Sequence, residues 1–205
     1  MLFLTLMSLN ITAQEELTEA QKVEFQNRVK QKVDEFQSSL SNIVNNQLKH
    51  EIRKEEVTKL LKLFIGEGGP YDYYDEEADA RIHSTGVKMQ ISNVDKTKSQ
   101  SQKLRNYIYK LYNPDTRKST LPYTKIVIES VSAVRVDNFE KVGDAYECVA
   151  YFRQKFIGYR DGKVWYSDTT SKKIRCYISH IDLPTGKRIF DAKLGDIYVL
   201  STKKY

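Results

Sequence analysis

The chain has 205 residues and a formal charge of +6, with 40% apolar and 29% charged residues. That length holds one domain with an added helical arm and leaves no room for a second enzyme-sized domain. The 33 Lys and Arg are interleaved with 27 acids, which describes a solvated surface, so nucleic acid is not an expected partner. Fourteen Tyr and eight Phe supply enough apolar bulk for a packed core.

The chain opens MLFLTLMSLNITAQEE, in which Leu2 to Leu9 form an uncharged apolar run and Ala13 offers the small residue a signal peptidase requires. The expectation is a signal peptide over 1–13 and a periplasmic or secreted protein. The run is shorter than the roughly 20 apolar residues that cross a bilayer, so no transmembrane segment is expected.

Thr18 and Gln21 have capping-box spacing, and Phe25, Val29, Val33, Phe36, Leu40, Ile43 and Gln47 follow at steps of four and three. This predicts one helix from Thr18 to Leu48, an arm over 14–50 ahead of a domain over 51–205. Its narrow stripe fits packing on its own domain, with a partner helix or a homodimer as the other outlet. Val57, Leu60, Leu61 and Phe64 predict a second helix over Glu51 to Ile65, closed by a left-handed Gly66. Gly66 to Gly86 reads as a long loop dense in Gly, Tyr and acids. Val87 to Val94 alternates as a short strand, and Gln102 to Tyr112 carries a third helix, stopped at Asn113 and Pro114.

From Tyr123 the pattern changes to long strands: Thr124 to Val136, Tyr146 to Tyr159, Val164 to Ile181 and Arg188 to Leu200. Asp161-Gly162 and Pro184 to Gly186 mark the turns. Strands this long must bend, with Gly143, Gly158 and Gly195 as bend or bulge sites. The fold class is therefore α+β, with N-terminal helices filling the concave side of a strongly curved antiparallel sheet.

Register in the central hairpin follows from burial. A two-residue loop at Asp161-Gly162 would set Cys148 opposite Arg175; one extra residue restores the match between Tyr146, Cys148, Ala150, Phe152, Phe156 and Ile174, Cys176, Ile178. A three-residue loop containing Gly162 is the expectation. Cys148 and Cys176 then share the buried face, opposite or one pair apart, either bridged or as two reduced core thiols.

The order helix, helix, strand, helix, four-strand meander, with segments such as LLKLFIGEGGPY and ECVAYFRQKFIGYRDGKVWYSD, resembles the nuclear-transport-factor-2-like (NTF2-like) family over Glu51 to Leu200. The resemblance implies a cone-shaped α+β fold with a cavity between sheet and helices. Such folds host isomerases, dehydratases, ligand carriers, secretion components and interaction modules, so the fold does not choose the function. The AQEE junction is similar to those of exported Bacteroidetes-type envelope proteins.

Two groups of residues could serve a cavity. His180 and Asp196 follow the buried phase of their strands and, with Tyr146, would make an acid–base site of isomerase or dehydratase type; a bulge at Gly195 would instead expel Asp196. Tyr71, Tyr73 and Tyr74 would recognise a ligand or partner at the cavity mouth, with Phe152 and Cys176 lining the interior. The acids Asp72, Asp75, Glu76, Glu77 and Asp79 lack EF-hand spacing, and two Cys with three His do not make a zinc set. No metal and no cofactor is expected. The mainly hydrocarbon inner face leads the reading to an exported, non-catalytic protein that binds a small molecule or protein partner. A cavity enzyme and an envelope or secretion assembly component are the alternatives.

Overall fold

Thr18 opens the first helix of the computed structural model, which describes residues 17–75, 80–92, 99–112, 123–143, 145–182, 184–186 and 188–204. The expected signal peptide, the acids at 76–79 and the Asn113-Pro114 stop lie outside these residues. Helix α1 spans Glu19–Val44 under the expected capping box: the Gln21 amide donates to the Thr18 hydroxyl, and the Thr18 amide donates to Gln21 Oε1. The stripe from Phe25 through Val29, Val33, Phe36 and Leu40 to Ile43 is fully buried. The helix stops four residues short of Leu48 because Asn45 leaves helical geometry and its side chain accepts from the Gln47 amide at 3.0 Å. Gln47 is accordingly exposed, off the stripe.

Helix α2 (His50–Lys62) packs back on α1, where Ser39 donates to the buried Glu56 at 2.9 Å. Helix α3 covers Leu104–Tyr112. Arg53 fastens the three together: Nε donates to the Ile43 carbonyl at 2.7 Å and Nη2 to the Tyr112 carbonyl at 3.1 Å, both in the last turns of their helices, where carbonyls have no partner within the helix. Gly66 takes the expected left-handed conformation (φ 56°), but as part of a short helical turn after α2 has ended.

The strands are β1 (Tyr71–Asp75), β2 (Ala80–Ser84), β3 (Lys88–Ile91), β4 (Gln100–Lys103), β5 (Lys125–Ser130), β6 (Arg135–Val142), β7 (Ala145–Arg160), β8 (Lys163–Asp182) and β9 (Arg188–Lys204). Seven form one open, curved sheet in the order β4-β3-β9-β8-β7-β5, with β6 also on β7. All its pairs are antiparallel except β3 on β9, which is parallel at Met89 and Ile197, so the sheet is mixed where an antiparallel one was expected. The expected first meander strand is broken: β5 pairs with the far half of β7 and β6 with its near half. The Gly66 to Gly86 loop contains the hairpin β1–β2, in which Tyr71 faces Ser84 and Asp72 faces His83.

The central hairpin turns on two residues, Asp161 (φ 51°) and Gly162 (φ 78°), rather than the expected three. The missing residue is supplied by a bulge: Tyr159 pairs with Val164 and Gly158 with Tyr166, leaving Trp165 between them. Register beyond it is as burial required, and Cys148 lies directly opposite Cys176, both buried as free thiols. Burial pushes the Cys176 thiol well above its ordinary range. These residues with Ala150, Phe152, Ile174 and Ile178 form the sheet side of the core against α1.

A second bulge separates Cys176, opposite Leu194, from Ile174, opposite Ile197. Gly195 sits there because a Cβ would lie 2.6 Å from the Tyr177 ring and 3.2 Å from the Arg175 carbonyl oxygen. Gly195→Ala should lower stability by about 1–3 kcal/mol, the usual cost of overpacking. A urea midpoint equal to that of the wild type would show that Tyr177 does not depend on the bulge.

Candidate functional site

The even-numbered residues of β8 share one face. Ile174, Cys176 and Ile178 are its apolar half, and the same phase runs back through Lys172, Thr170, Asp168 and Tyr166. On β7, Gln154 stands between Phe152 and Phe156 in the buried phase, opposite Thr170. The inner face is therefore hydrocarbon under α1 and polar toward the β7–β8 turn.

That polar end lines a cavity of about 170 Å³. Its walls include Ile91, Leu111, Tyr123 and Phe156; its polar residues are Ser92, Tyr107, Gln154, Tyr166, Asp168, Thr170 and Lys172. Asp168 is 4% exposed, Gln154 4% and Lys172 6%, levels that polar and charged side chains rarely reach. Lys172 Nζ donates to Gln154 Oε1 at 2.7 Å. An ammonium can only donate, so this contact fixes the amide's orientation and turns its NH₂ away from Lys172. Gln154 Nε2 is fully buried and has no hydrogen-bond partner among the described residues. Asp168 accepts from the Tyr166 hydroxyl and, at 3.4 Å, from the Thr170 hydroxyl.

The electrostatics follow from this burial. Loss of water lowers the Lys172 pKa from 10.5 to about 8, opposed in part by the charge of Asp168. Burial raises Asp168, against the Tyr166 hydrogen bond, the Lys172 charge and the Thr170 hydroxyl. Tyr107 is pushed up by burial and further by Asp168. An acid and a base are thus drawn toward neutrality from opposite sides within one small cavity.

The residues singled out from sequence lie elsewhere. His180 is exposed at the far end of the inner face, stacked 3.9 Å from the Phe190 ring. Tyr146 packs near it on Phe25 at 5.5 Å, within the aromatic cluster below the start of α1. Asp196 follows the Gly195 bulge onto the outer face, where it accepts from the Lys88 amide at 2.8 Å and the Tyr198 hydroxyl at 3.4 Å. The bulge reverses the phase, so His180 and Asp196 stand on opposite faces and form no acid–base pair. Phe152 and Cys176 are core residues and are not among the cavity's lining; Phe152 meets Phe36 edge-on at 6.3 Å. Tyr71 lies against Tyr177 and Tyr73 at centroid distances of 6.4 and 5.9 Å, so β1 covers the outer face of β8 and the two tyrosines stand away from the cavity. Tyr74 belongs to β1, its side chain lying outside the description.

Read from sequence, the buried phase of β8 runs forward from Ile178 to His180 and is not carried back from Ile174, so Lys172 and Asp168, with Gln154 on β7, go unseen. The signal was present: continuing the period of two from Ile174 reaches both charged residues. Among the described residues no group of three or more His, Cys, Asp and Glu could hold a metal, and no helix is long and apolar enough to cross a membrane. No family model, curated protein or solved structure matches this chain.

The sign of the pH effect at Lys172 is set by its lowered pKa. The unfolded chain binds the proton more tightly, so burial of Lys172 costs stability below about pH 8, and the cost fades as pH rises toward 10.5. Lys172→Met should therefore gain most relative to wild type near pH 7, and lose on the order of 2–3 kcal/mol of that advantage by pH 10. Urea unfolding of both proteins at the two pH values measures it; a difference independent of pH would place Lys172 in water.

Proposed function

We propose that this protein binds a small, mainly apolar molecule carrying one hydrogen-bond-accepting oxygen, in the cavity at the β7–β8 end of the sheet. The carrying observation is the Gln154 amide: its carbonyl oxygen is taken by Lys172 while its NH₂, fully buried, has no partner among the described residues. A buried donor without an acceptor costs about 1–3 kcal/mol, which an oxygen brought by a ligand would recover. Ile91, Leu111 and Phe156 suit the apolar body of such a molecule. The Asp168 carboxylate and the Lys172 ammonium in the same cavity offset each other's charge, which suits a neutral carbonyl or amide.

The apolar run Leu2 to Leu9 and Ala13 support an exported protein, and the element order supports an NTF2-like cone. Binding is the leading reading because Lys172 and Asp168 are held by Gln154, Tyr166 and Thr170. Proton transfer of isomerase or dehydratase type is the second reading, favoured by the opposed shifts of Lys172 and Asp168.

Benzamide and toluene separate the polar from the apolar contribution. Saturation-transfer NMR should show benzamide contacting the wild type at least tenfold more strongly than toluene, as one recovered hydrogen bond implies. Ile91→Trp, which fills the cavity, should abolish the benzamide signal. Equal signals from wild type and Ile91→Trp would place any binding outside the cavity.

A further inference from the structure

We infer that Lys172 captures a small aldehyde or ketone covalently, its amine condensing with the carbonyl carbon to an imine within the cavity shared by Gln154, Asp168 and Tyr107. The inference rests on the binding reading above and names the ligand class more narrowly. Its geometry has three parts. Lys172 lines the cavity, is more than nine-tenths buried, and has one hydrogen-bond acceptor, Gln154 Oε1, among the described residues. The Gln154 NH₂, on the amide whose oxygen Lys172 holds, has no hydrogen-bond partner among the described residues. Asp168 provides a carboxylate in the same cavity, held by Tyr166 and Thr170.

The nitrogen lone pair of Lys172 forms the C–N bond as the carbonyl π pair moves onto oxygen, where the Gln154 NH₂ stabilises the developing charge. Nitrogen gives up a proton, which Asp168 can hold in transit and return to the oxygen. The nitrogen's remaining proton passes to that oxygen in the same way, water leaves, and the nitrogen lone pair forms the C=N bond. One amine and one carbonyl compound yield one imine and one water, with no oxidant or reductant. Reversal by water releases the ligand. Burial keeps part of Lys172 uncharged near neutral pH, whereas an ordinary lysine in water is almost wholly ammonium there.

The test uses the full chain, benzaldehyde and cyanoborohydride at pH 7.5, with peptide mass spectrometry to locate the reduced benzyl adduct. Lys172 should be labelled at least tenfold faster than Lys203, and benzamide should slow labelling at Lys172 alone. Asp168→Asn should retain the fold, by circular dichroism, and reduce the Lys172 rate several-fold. Labelling at Lys172 no faster than at Lys203, in protein that still contacts benzamide, overturns the imine and leaves the binding reading standing. Failure of both labelling and benzamide contact overturns the two together.

Discussion

The pairing of β7 with β8 decides what the molecule has inside it. Fifteen residues of β7 have partners on β8, and a slip of one would turn every inner side chain outward. One bulge at Trp165 sets that register against a two-residue turn whose own count would give the wrong one. From it follow the facing cysteines, the apolar floor under α1 and the polar wall of the cavity. Fold and candidate site thus share a single geometric origin.

The two ends of that inner face are stabilised by different means. Under α1 the packing is mainly hydrocarbon, with Phe25, Phe36 and Phe64 among the largest fully buried side chains, and Gln37 of that helix is buried there with both amide atoms unpartnered among the described residues. Toward the turn, buried charge is held by hydrogen bonds that leave one donor unpartnered among the described residues. Polar groups held this way seldom add stability, and replacing them by packed apolar residues is often neutral or favourable. Their presence in a chain otherwise rich in apolar inner residues is the ground for proposing a site at this end.

Much of the architecture was legible in the sequence because it rests on period and punctuation. The capping box, the α1 stripe, α3 and the three long C-terminal strands all carry such signals, and Gly195 announced the bulge that expels Asp196. Less legible were features decided by partners distant in sequence. The β1–β2 hairpin is shaped by Tyr71 resting on Tyr177, β4 exists only through β3, and the break between β5 and β6 answers to the curvature of β7. The site failed for another reason. Asp168 and Lys172 violate the rule that buried phases are apolar, and pattern reading discards such violations.

The bulge has an optical consequence. It places the chain's one tryptophan at the hairpin tip with 62% of its surface in water, under the Arg160 guanidinium 5.1 Å from the ring centroid. Indole emission therefore begins near its solvated limit in the native state and has little further to shift on unfolding. The interior is instead surrounded by tyrosines. Absorbance or near-ultraviolet dichroism from those rings tracks the core, and a blue shift of the tryptophan would report only that the tip had left water.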